Sequence, residues 1–171
     1  VPSDYSTIQG GINAATTGDT VLVAEGEYFE NIILEKEIVL ASHAIYDNLD
    51  DNWLNNQSII GTKINGGQHP IGSNHGSCLI VRDNDINPII FGFTFEDGTG
   101  TDMLVIDCEI TGSYQRSERS GGAILIYDAY PDILFNKFFN NGITSMAVGG
   151  DDAINIANGG AISHYDTDDV E

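Results

Sequence analysis

Positive charge is what this chain has least of. Six Lys and Arg stand against 26 Asp and Glu in 171 residues, a formal net charge of −20. A surface of that sign repels nucleic acid and anionic lipid at modest salt, so neither is an expected partner. Cysteine is scarce as well: Cys78 and Cys108 are too few for a disulfide framework. Two buried thiols are the expected state, since free Cys behaves as a small hydrophobe. The alternative is a disulfide between adjacent coils of a repeat, the separation of 30 positions (108 − 78) being close to one coil plus an insertion. No run of about 18 or more apolar residues occurs, so membrane insertion by a helix is not expected. The chain opens on Val1 with no basic n-region and apolar h-region, as a mature or excised chain would.

The abundant acid has two readings. It keeps a protein soluble in a salty medium, where screening makes such a surface cheap. It also supplies the hard oxygen ligands that Ca²⁺ prefers. The length suits one domain with its own core.

The first segment predicts a helix from about Ser6 to Thr17. Ile8, Ile12 and Ala15 form one apolar stripe, Ser6 and Gln9 fit a capping box, and Gly18 fits the C′ position. A helix this short needs a surface to cover. From Thr20 onward the periods are those of strands, near Val21–Val23, Ile32–Leu34, Ile38–Ala41, Ser58–Ile60, Cys78–Val81, Ile89–Phe95, Leu104–Ile110, Ala123–Tyr127, Ile133–Phe139 and Ala161–His164. Two-residue hairpins are few, and no long helix follows any strand. Many short strands then find burial in a solenoid, each coil adding one strand to each of several parallel sheets about 4.8 Å from the last.

Internal similarity points the same way. Pro88–Gly98 resembles Pro131–Gly142 with one residue inserted, and Gly121-Gly122-Ala123-Ile124 returns as Gly159-Gly160-Ala161-Ile162, an offset of 38 (159 − 121). Three loops interrupt the stack: Ala44–Gln57, Gly66–Gly76 with His69 and His75, and Gly112–Ser120 with Tyr114, Arg116 and Arg119.

The opening Val1-Pro2-Ser3-Asp4-Tyr5-Ser6-Thr7-Ile8-Gln9, with Ile12-Asn13-Ala14-Ala15, Gly18-Asp19-Thr20-Val21 and Gly26-Glu27-Tyr28-Phe29-Glu30-Asn31, resembles the start of right-handed parallel β-helix proteins of the pectin-lyase-like superfamily. Gly92-Phe93-Thr94-Phe95-Glu96-Asp97-Gly98 and the Gly-Gly-Ala-Ile elements are similar to its later coils, most of all those in the repeat regions of secreted bacterial surface proteins. The resemblance implies an all-β fold, a right-handed parallel β-helix solenoid with a short N-terminal capping helix. It makes 1–171 one domain, cap 1–18 and coils 19–171, within a longer solenoid or protein. It also implies a secreted or cell-surface bacterial location. Function follows less directly, because the superfamily holds lyases, hydrolases, epimerases, adhesins and repeat domains. The expectation is a scaffold or binding module for carbohydrate, or for another chain or further coils at the C-terminal end. A polysaccharide lyase or epimerase is the alternative.

For a lyase the resemblance implies a Ca²⁺ or other cation and an Arg or Lys base; the candidates are Arg116 and Arg119 with Asp128. Two solvated arginines are the plain alternative, and a −20 chain disfavours a polyuronate groove. A hydrolase would pair carboxylates such as Asp151 with Asp152, or Asp97 with Asp102. No cofactor is required, and Ca²⁺ is the ion that Asp47, Asp50 and Asp51 would take. The run Asp166-Thr167-Asp168-Asp169 is oxygen-rich too, whereas His69 and His75 lack the partners of a zinc site. Trp53, Tyr46 and Tyr114 would stack on sugar rings, or else cover the core. Asn31, Asn136, Asn140 and Asn141 read as turn residues bonding backbone.

Overall fold

The computed structural model describes residues 1–50, 52–68, 74–109, 112–143, 156–158 and 160–165; of 84, 104–109, 112–117 and 156–158 it describes the backbone only. The fold is mostly β with parallel sheets. Sheet I holds β1 (Thr20–Val23), β4 (Val39–Ser42), β8 (Ile89–Phe91) and β13 (Asp132–Leu134). Sheet II holds β2 (Gly26–Phe29), β5 (Thr62–Asn65), β9 (Thr94–Glu96) and β14 (Lys137–Phe139). Sheet III holds β3 (Ile32–Leu34), β7 (Leu79–Ile86), β12 (Ile124–Ala129) and β16 (Ile162–Tyr165). Every pairing within these three sheets is parallel. The chain visits I, II and III in rotation, so each pass adds one tier.

Period-2 alternation sends one side chain of each strand inward, and the register aligns them in columns. Val21, Leu40 and Ile90 align on sheet I, Tyr28, Ile64 and Phe95 on sheet II, and Leu34, Val81 and Ile126 on sheet III. All nine belong to one buried apolar cluster.

Corner chemistry explains why strands end where they do. The runs Ile89–Phe95 and Ile133–Phe139, each expected as one strand, are both split between sheets I and II. Gly92 (φ +80°) and Phe135 (φ +54°) hold equivalent left-handed corners that break each run. Strands β8/β13 and β9/β14 align at a constant offset of 43 (132 − 89; 137 − 94), so the extra residue of the second repeat falls beyond the strands. The Gly-Gly-Ala-Ile repeat holds as read, Ile124 pairing Ile162. At the corners Asn136 bridges Ile90 O and Phe93 N, Asn141 bridges Phe95 O and Gly98 N, and Asn31 donates to Gly66 O and Ser77 O. Asn140 instead donates to the Asp97 carboxylate.

The cap is shorter than the stripe suggested: α1 spans Ile8–Ala14, with Ile8 and Ile12 buried and Ala15 packed at its end. The expected Ser6/Gln9 box does not form. Thr7 is the N-cap, its Oγ1 accepting from Gly10 N. Glu30, from the first II–III corner, accepts from the amides of Ile8 and Gln9 at 2.8 and 3.0 Å. Gln9 turns instead to both backbone groups of Ile33, and with Ala15 as the C-cap the C′ position falls to Thr16, not Gly18. Lys36 Nζ caps the far end, donating to Ile12 O, Asn13 O and Ala15 O. A cation there also complements the helix dipole.

Three further expectations change. Ser58–Ile60 is not a strand but part of α2 (Gln57–Gly61), capped by Asn56 Oδ1 on Ile59 N. Gly112–Ser120 is not a loop: β11 (Gly112–Ser120) forms an antiparallel hairpin with β10 (Gly100–Glu109). That hairpin joins β6 (His75–Gly76) and β15 (Ile156–Asn158) in a fourth sheet. Cys108 lies in it, opposite Ser113, whereas Cys78 stacks between Asn31 and Ala123, with Ile32 N on Cys78 O and Leu79 N on Ala123 O. The two cysteines are therefore not neighbours in successive tiers. Cys78 is a free, buried thiol, as expected; the Cys108 side chain lies outside the described atoms.

Candidate functional site

The apolar outer face of sheet I decides the role of the first long loop. Leu22, Ala41, Phe91 and Leu134 align on that face. Residues 43–50 and 52–61 fold over part of it as two 3-10 turns and α2, burying Ala44, Leu49 and Ile59 beside Phe91. Trp53 belongs to this second core, edge-on to Phe135 at 5.8 Å, and Phe91 meets Phe135 at 5.3 Å. Trp53 thus covers apolar surface. Tyr46 is 75 % exposed, its nearest ring being His43. Tyr114 lies in β11 opposite Asp107, its side chain outside the described atoms.

Asp47 ties the same loop shut, accepting from Asn56 Nδ2 and Ser58 Oγ, each at 2.8 Å. Those bonds hold its carboxyl below the usual aspartate range. Asp50 donates its backbone N–H to Asn48 Oδ1, and Asp51 lies outside the described residues. Among the described residues no group of three or more His, Cys, Asp or Glu is placed to hold a metal ion. His75 lies in β6; His69, Asp151, Asp152 and Asp166–Asp169 fall outside the described residues.

Of the lyase candidates, Arg119 lies on β11 in the fourth sheet and Asp128 on β12 in sheet III. Arg119 is 8 % exposed at the hairpin base, where Nη1 meets Asp102 Oδ1 at 2.8 Å and Nε donates to Thr99 O. Asp97 accepts from Asn65 and Asn140, so the Asp97/Asp102 pair is spoken for by separate partners. Arg116 lies in β11 opposite Val105, with its side chain outside the described atoms.

Asp128 sits elsewhere, on sheet III. There Tyr127 pairs Arg82 and Ala129 pairs Ile86, so one residue of β12 faces three of β7 across a bulge. Asp83 (φ +116°), Asp85 (φ +66°) and Asp128 (φ +48°) take up the distortion. Asp tolerates such angles better than most residues. The bulge opens a cleft of about 340 Å³ lined by Glu35, Arg82, Asp83, Tyr127 and Asp128. Through Glu35 and Arg82 it continues into a groove of about 490 Å³ beneath α1, where Gln9, Asn13, Phe29 and Ile33 line the wall. Arg82 Nε meets Glu35 Oε1 at 2.6 Å where the two parts join, both side chains about half exposed. Phe29 and Tyr127 are 43 % and 37 % exposed.

This constellation of two open rings, side-chain amides, four carboxylates and two cations, Arg82 and Lys36, was missed in the sequence, apart from Asp128. Its members come from α1 and three tiers, and only the fold joins them. The outlying clue was Arg82 in an acidic chain, followed by three Asp or Asn residues that no strand pattern explains. The chain matches no family model, no curated protein and no solved structure.

Proposed function

We propose that the chain is a right-handed parallel β-helix of the pectin-lyase-like kind, secreted or displayed on a bacterial surface, that acts as a scaffold and binds carbohydrate. The observation that supports it is the groove on sheet III. Exposed rings at Phe29 and Tyr127 offer apolar faces to sugar C–H surfaces. Asn13, Glu35, Asp83 and Asp128 line the same groove with polar side chains, the chemistry that sugar hydroxyls need. A net charge of −20 selects neutral glycans over uronates. The test is calorimetric titration with a panel of neutral and acidic oligosaccharides. Binding of a neutral member, weakened about tenfold by Tyr127→Ala or Phe29→Ala, is expected; a ring stacked on a ligand is worth about 1 kcal/mol or more. Binding that ignores both substitutions, or none at all, overturns the reading.

A second reading, a polysaccharide lyase or epimerase, is favoured by Arg82 sharing one cleft with Asp83 and Asp128. The Arg82 guanidinium, 2.6 Å from Glu35, is a fork of donors with no acceptor, which suits carboxylate binding better than proton abstraction. Unsaturated products from an acidic polysaccharide, lost in Arg82→Gln, would select the enzyme.

A further inference from the structure

We propose that the sugar this groove prefers carries a protonated amine, so that its ligand is an amino-sugar glycan; this rests on the reading of the groove as a carbohydrate site and names the class within it. Six charged side chains line the groove and the cleft that continues it: Glu30, Glu35, Asp83 and Asp128 against Lys36 and Arg82, a net charge of −2. Both cations are engaged within the protein. Lys36 Nζ donates to three carbonyls at the end of α1, and Arg82 Nε meets Glu35 Oε1 at 2.6 Å. Beyond that ion pair the cleft adds Asp83 and Asp128, with no further cation among its lining residues.

A second, independent observation calls for a donor. Asn31 is 4 % exposed and lines the groove. Its Nδ2 donates to Gly66 O and Ser77 O, whereas its Oδ1 has no hydrogen-bond partner among the described residues. A buried acceptor without a donor is unfavourable, and ionised carboxylates also only accept. An ammonium is the complement: three donors, no acceptor and a positive charge. Aromatic faces attract it as well, and Phe29 and Tyr127 place one open ring in each part of the site. An amino sugar meets both demands, its C–H face on a ring and its ammonium among carboxylates. An N-acetylated sugar keeps the first and loses the second. A basic peptide brings the ammonium on a flexible stem, without a flat C–H face for the rings.

The experiment is calorimetric titration of the 171-residue chain with a β-1,4-linked glucosamine tetramer and with its fully N-acetylated counterpart, at mildly acidic pH, where the amine is protonated. The free-amine form is expected to bind at least about tenfold more tightly at low salt. The gap should narrow at about 1 M NaCl, where the screening length is about 3 Å. Asp83→Asn with Asp128→Asn removes two charges and keeps a residue type that accepts positive φ; it should erase most of the preference at an unchanged melting temperature. Asp50→Asn with Asp132→Asn makes the same change in net charge at two exposed residues outside the groove, and should preserve it. Equal affinity for the two tetramers, or binding of neither, would overturn this inference; the wider carbohydrate reading falls only if the whole oligosaccharide panel fails. A preference that survives Asp83→Asn with Asp128→Asn would assign it to the charge of the whole chain, and a lysine tetramer bound as tightly would assign the site to basic peptide; each overturns the proposal.

Discussion

The two ends of the stack solve one problem in opposite ways. Each tier is apolar above and below, so the first and the last must find cover. At the first, seven residues of α1 lay Ile8 and Ile12 over the core, and two charged side chains from the tier itself satisfy the helix termini. At the other, Phe138 covers Phe95 and remains partly open itself. The same corner shows the contrast at one residue. In the third tier it is Gly92, against Ser42 and Ala44; in the fourth it is Phe135, an aromatic at positive φ whose ring packs on Phe91 and Trp53. A crowded interior corner demands the residue without a Cβ, whereas an end corner can use a strained ring to spread the second core.

The largest effect should come from breaking the closed end. Ile12→Asp buries a charge and empties an apolar site, and should cost about 4 kcal/mol or more by chemical denaturation. An unchanged midpoint would mean that α1 does not cover the core. Next, Phe95→Ala should cost about 3–4 kcal/mol and Phe138→Ala about 1, since only the first leaves a sealed cavity. Equal losses would make the two tiers alike and remove the contrast.

Gly92→Ala should cost about 2 kcal/mol, combining the left-handed penalty of about 1–2 kcal/mol with a Cβ that would sit 2.7 Å from Ser42 Oγ. A thermal scan against wild type checks it. Glu30→Ala, which frees two helix amides, should cost about 1 kcal/mol, the usual worth of a cap. If the loss instead approached that of Ile12→Asp, Glu30 would be holding more than the cap.

The smallest effect at neutral pH concerns Cys78. Burial pushes its thiol up to about 12 from 9.0. Its contribution is complete below pH 9 and is lost as pH rises from 9 towards 12, where the unfolded thiol ionises first. In a Cys108→Ser background, iodoacetamide should leave the native protein unlabelled at pH 8 and label it fully once unfolded. Rapid native labelling would place Cys78 at an accessible surface.

Much of the architecture was legible because local patterns record it. Val21–Val23, Ile32–Leu34 and Gly121–Ile124 with its repeat announce inward columns and tier spacing by alternation and recurrence. The exchange of Ser6/Gln9 for Thr7/Glu30 was not legible: Glu30 is 22 positions from Ile8 and reaches it only after the chain has laid down β1 and β2. Ser58–Ile60 misled for a related reason. Its apolar residues suit a strand, but the Asn56 cap and the outer face of sheet I, which needed Ile59, make it helical.

The sequence by itself determined the parallel, tiered character of the protein, the apolar columns of its main core, its apolar helix stripe and its negative surface, because these depend on periodicity and composition. Tertiary structure alone decided which charges are occupied. It buried Arg119 against Asp102, spent Asp47 on its own loop, and paired Arg82 with Glu35 in the cleft that Asp83, Tyr127 and Asp128 also line. The physical reason is that a charged side chain is committed by whatever lies within about 3–4 Å of it. In a stack of tiers those neighbours come from other turns of the chain, tens of residues away.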